Sequence, residues 1–352
     1  MRRLFLALLI LAPLVAAQPR RRASGPEIPP ATLAPIAAKT LADGAPAISI
    51  AVARGDSIIF SAGYGTATAN TIYQVGSVTK QFTAAAIMRL VERGSVALDD
   101  PIEKFLPEMA GRTITVRHLL THTSGLVRDI PNLIDLHASI TKPVAIARIA
   151  ASASLFRAGT AWSYSNAGYY LLANIIERVS GKSYVQFLED ELLLPLGLAS
   201  TGVCGSSPRV PTPDGFLLIQ KTKSVIAIPA VDMSVLFGSG NICSTAIDLA
   251  HWSNALATGR VVSPASYEEM TREYAALSPT AGYGFGLFTD VDRGHVVVFH
   301  DGIVLGFQAM LMTYPDRDLT IAVLVNAIDD QITWVPATSA GFAIGKTLVP
   351  AK

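Results

Sequence analysis

The spacing of apolar and polar positions changes period along the chain. After a proline-rich leader, "LAPIAAKTLAD" (33–43) carries apolar residues at helical spacing and predicts a helix. The next run, "AISIAVARGDSIIFSAGYG" (47–65), is rich in β-branched residues on both sides of Gly55 and Asp56, so it predicts two strands joined by a short turn. From Ser77 to about Ala257 the period is helical. "FTAAAIMRLVERG" (82–94) stops at Gly94 and "NAGYYLLANIIERVSG" (166–181) stops at Gly181, each glycine standing where a helix C-terminus needs one. From Tyr283 the β pattern returns in "HVVVFHDG", "GFQAMLMTYPD" and "LTIAVLVNA", and a helix-like stretch follows Asp330. This order predicts an α+β fold: one antiparallel sheet built from both chain ends (about 47–65 and 283–327), flanked by helices, with a mostly helical middle (about 77–257). A groove between sheet and helical region is then the expected place for a site. No segment of 20 to 50 residues repeats, which excludes a solenoid.

The N-terminus reads differently. Arg2 and Arg3 precede an apolar run from Leu4 to Leu14, and the small residues of "VAAQ" end at Gln18. That pattern predicts a secretory signal over residues 1–17, too short to span a bilayer as a mature helix, and a periplasmic or secreted protein. Residues 18–33 read as a flexible leader and 34–352 as the working domain. "RRLFL" also matches the twin-arginine pattern weakly, so the export route is open. With no cysteine at the cleavage point, no stable membrane anchor is expected. Cys204 and Cys243 are the only cysteines. Export allows them to pair, burial as two inert thiols is the alternative, and the sequence leaves both open. A chain of 352 residues, half of them hydrophobic, can bury one large core or two modest ones. Its net charge of +1, with no basic stripe, leaves no footprint for nucleic acid.

The chemistry begins at "GSVTKQF" (76–82). A serine hydroxyl is a poor nucleophile until a neighbouring base takes its proton, and a lysine serves as that base only when burial or nearby positive charge lowers its pKa. A helix starting near Ser77 puts Ser77 and Lys80 one turn apart on one face. The bland reading is a helix-capping serine beside a solvated lysine. "SITK" supplies a second copy, Ser139 and Lys142, but Pro143 pushes Lys142 away from helical backbone, so that copy reads as a loop. Farther on, Tyr164-Ser165-Asn166 sits on a turn before a helix, offering a phenol to move protons and an amide to hold a carbonyl. His118 and His122 have the spacing of zinc ligands on a helix but lack the glutamate of H-E-x-x-H, so no metal is expected. "GYG" (63–65) lacks the rest of a dinucleotide fingerprint, and no G-x-S-x-G elbow occurs.

Taken together, these motifs and their order resemble the serine β-lactamase and penicillin-binding-protein-like hydrolases, in the branch near class C β-lactamases that also holds esterases and D-aminopeptidases. "RHLLTHTSGL" (117–126), "WSYSNAGYYLLANIIERVSGKSY", "PLGL" (195–198), "GSGNICSTAIDLAHW" and "YGFGL" carry the resemblance over essentially all of the mature chain. It implies Ser77 as the acylated nucleophile, Lys80 as its base, and Tyr164 as the group that assists proton transfer to the leaving group and again in deacylation. It implies that Asn166 orients the acyl side chain, and that the backbone N–H groups of Ser77 and Ile303 form the oxyanion hole. The family's third motif, Lys or His, any residue, then Gly, reads His300-Asp301-Gly302 here, and Gly302 would leave room for substrate along the strand. β-Lactamases proper usually carry lysine at the first position. A neutral His300, with Asp301 adding negative charge unless strand alternation turns it out of the groove, argues for a neutral ester, an amide or a cationic peptide end. The expected partner is therefore a small-molecule ester, amide or peptide, with no cofactor. A true class C-like β-lactamase and a penicillin-binding sensor or carboxypeptidase with slow deacylation are the rival readings, and oligomeric state is silent.

Overall fold

The computed structural model describes residues 26–352. The expected signal sequence and the start of the leader lie outside them. Strands β1 (Ala47–Arg54), β2 (Ser57–Gly65) and β3 (Tyr73–Gln74) come first, and β4 (Gly202–Val203), β5 (Gly215–Ile219), β6 (Ser224–Ile228) and β7 (Ile242–Ser244) fall in the middle. The rest are β8 (Ala275–Ala276), β9 (Gly282–Tyr283), β10 (Phe288–Asp292), β11 (His295–Val304), β12 (Phe307–Tyr314), β13 (Leu319–Val325) and β14 (Ala327–Asp329). The main sheet runs β2-β1-β13-β12-β11-β10-β9-β8, antiparallel throughout. The two chain ends thus meet where β1 pairs with β13, from Ile48 opposite Val325 to Arg54 opposite Leu319.

Burial explains why these strands are apolar at nearly every position rather than alternating. Every residue of β12 and β13 is buried, and β1 is buried up to Ala53, because both faces of the sheet are covered. On one face, α1 (Pro30–Ala42) and the last helix, Pro336–Leu348, enclose a core that includes Leu33, Ile50, Met310, Ile321 and Ile344. On the other lie α2 (Thr79–Glu92), α3 (Val116–Leu120), α4 (Lys142–Ala151) and α5 (Asn166–Ser180), together with Ala246–Ala257; Phe82, Tyr169, Leu171 and Trp252 belong to that core. Phe82 and Trp252 stack with centroids 3.9 Å apart.

The middle is not wholly helical. A hairpin, β5–β6, extends from it and β5 pairs in parallel with β14. Its turn, "QKTK" (220–223), holds none of the residues that usually signal one, and Lys223 takes the left-handed conformation at φ 58°. β7 sits between β3 and β4 in a small separate sheet, and Cys204 is bonded to Cys243 there. Of the two readings left open for the cysteines, the structure adopts the disulfide.

Candidate active site

The Ser77 turn is held by two interlocking glycines. Gly76 has φ +51°, and a Cβ on it would sit 3.0 Å from the Ile303 nitrogen. A Cβ on Gly302 would lie 2.0 Å from the Val75 carbonyl oxygen and 3.2 Å from the Ser77 nitrogen. The space at Gly302 is therefore taken by the Val75–Ser77 turn. That corrects the expectation that it accommodates substrate, because strand β11 and the serine turn are in backbone contact. The same interlock brings the Ser77 and Ile303 amides into one neighbourhood.

Ser77 does not begin the α-helix. It lies in a 3₁₀ turn, Gly76–Val78, and α2 starts at Thr79 with Val78 at its N-cap and no side-chain cap. The serine hydroxyl is left for Lys80, whose Nζ lies 3.1 Å from Ser77 Oγ, 2.8 Å from Asn166 Oδ1 and 2.8 Å from the Ser239 carbonyl oxygen. Lys80 is completely buried, and burial, followed by the nearby charge of Arg128, holds its pKa well below the ordinary lysine range.

The hydrogen-bond inventory then defines what this amine can do. Asn166 Nδ2 donates to Asp129 Oδ1 at 2.7 Å, which fixes the amide with its oxygen toward Lys80. That oxygen and the Ser239 carbonyl can only accept. A neutral amine has two N–H groups for these two acceptors, and its lone pair is left facing the one partner that can donate, the Ser77 hydroxyl. The arrangement suits proton transfer from serine to lysine.

Tyr164 forms the opposite wall. Its hydroxyl is hydrogen-bonded to Ser77, yet burial pushes its pKa up, so it stays a phenol. Ser165 caps α5 by accepting from Gly168 N, and the Asn166 and Ala167 amides donate to the Arg128 carbonyl at 2.6 and 3.1 Å. The loop carrying Arg128 and Asp129 is thereby docked on the start of α5. An open cleft is lined by Ser77, Arg128, Trp162, Tyr164, Phe288, Asp301 and Ile303.

His300 is buried behind this cleft, its ring 6.2 Å from Tyr164 and 4.9 Å from Phe288. Its Nδ1 is 2.5 Å from the Asp301 carbonyl oxygen, which can only accept, so Nδ1 carries the proton and Nε2 is the lone-pair side. Nε2 faces the Tyr283 hydroxyl at 3.4 Å. His122 has the opposite tautomer: its Nδ1 accepts from Ser165 N at 3.1 Å, leaving Nε2–H to donate to Tyr283 at 3.0 Å. The Tyr283 proton is shared between His300 and Tyr169, which also receives it as a hydrogen bond. Both histidines are neutral. Burial lowers the His300 pKa to about 3 and holds His122 well below its usual range, and protonation of the Lys80 amine acts in the same direction on both.

Asp301 does not turn out of the groove. It and Ile303, two apart on β11, line the cleft, while His300 and Gly302 are buried. Burial raises the Asp301 carboxyl. The seven sequence-derived positions Ser77, Lys80, Tyr164, Asn166, His300, Gly302 and Ile303 are thus gathered around one cleft. Ser139 is exposed and outside it. Lys142 does take helical backbone, as the first residue of α4 with Pro143 second, which corrects the loop reading: a proline at the first turn lacks only an amide the helix does not use. Lys142 Nζ pairs with Glu177 at 2.5 Å.

His118 and His122 do not share a helical face. His118 closes a capping box with Thr115, whereas His122 lies past the end of α3 at φ 58°. Sequence reasoning missed Arg128, Asp129, Ser239 and Tyr283 as neighbours of the serine. Arg128 and Asp129 stand two and three residues after "HTSGL" (122–126), while Ser239 and Tyr283 lie inside "GSGNICSTAIDLAHW" and "YGFGL", and those stretches are the signals that could have found them.

A family model described as Beta-lactamase matches residues 33–330. PbpX of Bacillus subtilis (strain 168), named for the penicillin-binding proteins, is 31% identical over 290 residues, covering 80% of this chain and 70% of its own length. A D-stereospecific amidohydrolase from Streptomyces sp. superimposes with a TM-score of 0.79 at 27% identity, over 92% of this chain and 99% of its own. The octameric penicillin-binding protein homologue from Pyrococcus abyssi gives 0.79 at 28% identity, over 91% and 78%.

Proposed function

The chain belongs to the Beta-lactamase family of serine hydrolases, and from that premise we propose that it is an exported enzyme cleaving a neutral ester or amide through an acyl-enzyme on Ser77. Ser77 Oγ attacks the carbonyl carbon as its proton passes to Lys80 Nζ. The oxyanion is held by the Ser77 and Ile303 amides. The tetrahedral species collapses as Tyr164 delivers a proton to the leaving alcohol or amine, and the Ser77 ester remains. Water then attacks that ester, giving up its proton to the same Tyr164–Lys80 pair, and the acid departs with Ser77 restored. Asn166 orients the acyl portion.

The observation that carries this reading is the buried Lys80 amine, satisfied by two acceptors and turned with its third position toward Ser77. A neutral His300 at the head of the third motif leaves no cation there to hold a drug carboxylate. Asp301 and Arg128 put one charge of each sign on the cleft walls, which favours an overall neutral substrate. The name of the Streptomyces relative, an amidohydrolase, supports the amide side. Export rests on the N-terminal pattern and on the Cys204–Cys243 bond, which suits an oxidising compartment.

The test is turnover of a short-chain nitrophenyl ester and of a chromogenic cephalosporin, side by side, on the mature protein and on Ser77→Ala. Ester hydrolysis that exceeds cephalosporin hydrolysis and vanishes with Ser77 is the expected result. Faster cephalosporin turnover would make the chain a β-lactamase. Acylation without turnover of either would identify a penicillin-binding sensor.

A further inference from the structure

The Cys204–Cys243 bond joins β7 to the residue that follows β4. The small sheet around it is built from β3, β7 and β4, of two, three and two residues, with Gln74 and Gly202 opposite Cys243 and Val203 opposite Ile242. So short a ladder does not fix its own position. Its packing is slight as well, for the two cysteines and Val210 form a buried cluster apart from both main cores. Cys204 is itself anchored: its N–H donates to the Asn241 carbonyl at 3.0 Å, and Gly205 N donates to the Val210 carbonyl at 2.8 Å.

What hangs on β7 is the catalytic machinery. The Ile242 carbonyl accepts from Val75 N at 3.0 Å, at the head of the turn that carries Ser77, and Ile242 N donates to Thr79 Oγ1 at 3.1 Å, beside Lys80. One residue earlier, Asn241 Oδ1 accepts from Gly238 N at 3.1 Å, closing the turn whose Ser239 carbonyl takes the Lys80 amine at 2.8 Å. The Gly238 carbonyl accepts from Thr83 Oγ1 at 2.7 Å. Residues 238–242 thus hold the serine's turn with one end and the lysine's acceptor with the other. The bond at Cys243 is the covalent stop on that segment, since the chain between the two cysteines leaves to form the β5–β6 hairpin.

Displacement matters here more than elsewhere. The lone pair of Lys80 faces Ser77 only while two acceptors occupy its N–H groups, and an error of about 1 Å in a reacting geometry costs on the order of 100-fold. Ser239 supplies one of those acceptors. We propose that the Cys204–Cys243 bond is a positioning element of the active site: by fixing β7 it holds the Ser239 carbonyl on Lys80 and the Ser77 turn in place, so that the hydrolase reaches its full rate only with the bond formed. Neither cysteine lines the cleft. The inference rests on Ser77 and Lys80 carrying the reaction. Together with export, it ties activity to arrival in an oxidising compartment.

The experiment compares the mature oxidised protein with Cys204→Ala/Cys243→Ala on a nitrophenyl ester, with circular dichroism and a urea melt to establish that the variant is folded under assay. Its kcat should fall at least about tenfold with KM within about threefold. The acid limb of kcat/KM should also move to higher pH, because water admitted to Lys80 returns its pKa towards the ordinary lysine value. A bond that serves stability alone gives a lower urea midpoint with kcat within about twofold and the limb unmoved, and that outcome overturns the proposal. So does a fall in kcat with the limb unmoved, since the lysine is then undisturbed. Where the variant does not fold, the parent is reduced in sub-denaturing urea with dithiothreitol, which delivers two electrons and two protons, opens the bond to two thiols and closes to its own disulfide. Full activity with both thiols titrated overturns the proposal; activity that is lost and returns on reoxidation supports it. Ser77→Ala separates the two readings: if that variant stays active, the serine reading falls and this one with it, whereas active cysteine variants beside an inactive Ser77→Ala overturn this one alone.

Discussion

The chain contains Ser-x-x-Lys twice, and the two copies part company on burial. Lys80 is sealed beneath Ser77, Asn166 and Ser239, and burial lowers its pKa well below the ordinary range. Lys142 sits half-exposed at the start of α4, paired with Glu177, while Ser139 lies in solvent three residues earlier and is not part of the helix. Identical letters yield a buried amine able to take a proton in one place and a half-exposed partner of Glu177 in the other. The difference is the low-dielectric surroundings, which disfavour charge on Lys80 and are absent at Lys142.

The largest effect should come from breaking the first pair. Ser77→Ala should cost at least about 10⁴-fold in ester kcat/KM, whereas Ser139→Ala should stay within twofold; the two variants assayed together decide which serine matters. Lys80→Ala should cost about 10³-fold or more, since the serine then lacks its base, and circular dichroism at matched concentration checks that the fold persists.

Acid sharpens the comparison, because the buried neutral histidines cluster around the first pair. His300 and His122 are held below their ordinary pKa of about 6.5, so below that pH the unfolded chain binds protons that the folded one refuses. Stability is present above pH 6.5 and should fall as pH drops, by up to about 1.4 kcal/mol per pH unit for each histidine, until about pH 3 for His300. Asp301 and Asp248, raised by burial, act with the opposite sign, so the histidine contribution is read as the difference in slope between the parent and a histidine variant in denaturant melts across pH 5 to 6.5. His300→Gln should remove one histidine's share of that slope; an unchanged slope would place the charge-averse groups elsewhere.

The smallest effect belongs to the second pair. Lys142→Ala breaks a half-exposed ion pair with Glu177 and should cost no more than about 1 kcal/mol in a urea melt, with kcat unchanged. A drop in kcat there would show that α4 communicates with the serine, contrary to the contrast between the copies.

Much of the architecture was legible because its signals are local or periodic. The β1–β2 hairpin announces itself through Gly55-Asp56, and α5 through its terminal Gly181, which takes φ 70°. The β5–β6 hairpin was not legible, since its turn uses Lys223 in place of glycine or asparagine and its partner β14 is about a hundred residues away. At the site, the one-turn spacing of Ser77 and Lys80 could be read, but the orientation of Asp301 could not. The expectation that a strand residue beside His300 could turn away fails because the groove runs along the edge of β11, so that Asp301 and Ile303 reach it while His300 is buried behind.

The sequence by itself determined the periods, the turns and the order of the motifs, because these depend on neighbours within a few positions. Only the tertiary structure decided that Ser239, 159 residues from Lys80, supplies a carbonyl to its amine, that Asp129 fixes the Asn166 amide, and that Ser165 and Asp301 set opposite tautomers on His122 and His300. Those are matters of burial and of which donor meets which acceptor. Neither can be counted along a chain, since both depend on segments distant in sequence being brought within hydrogen-bonding reach in a place that excludes water.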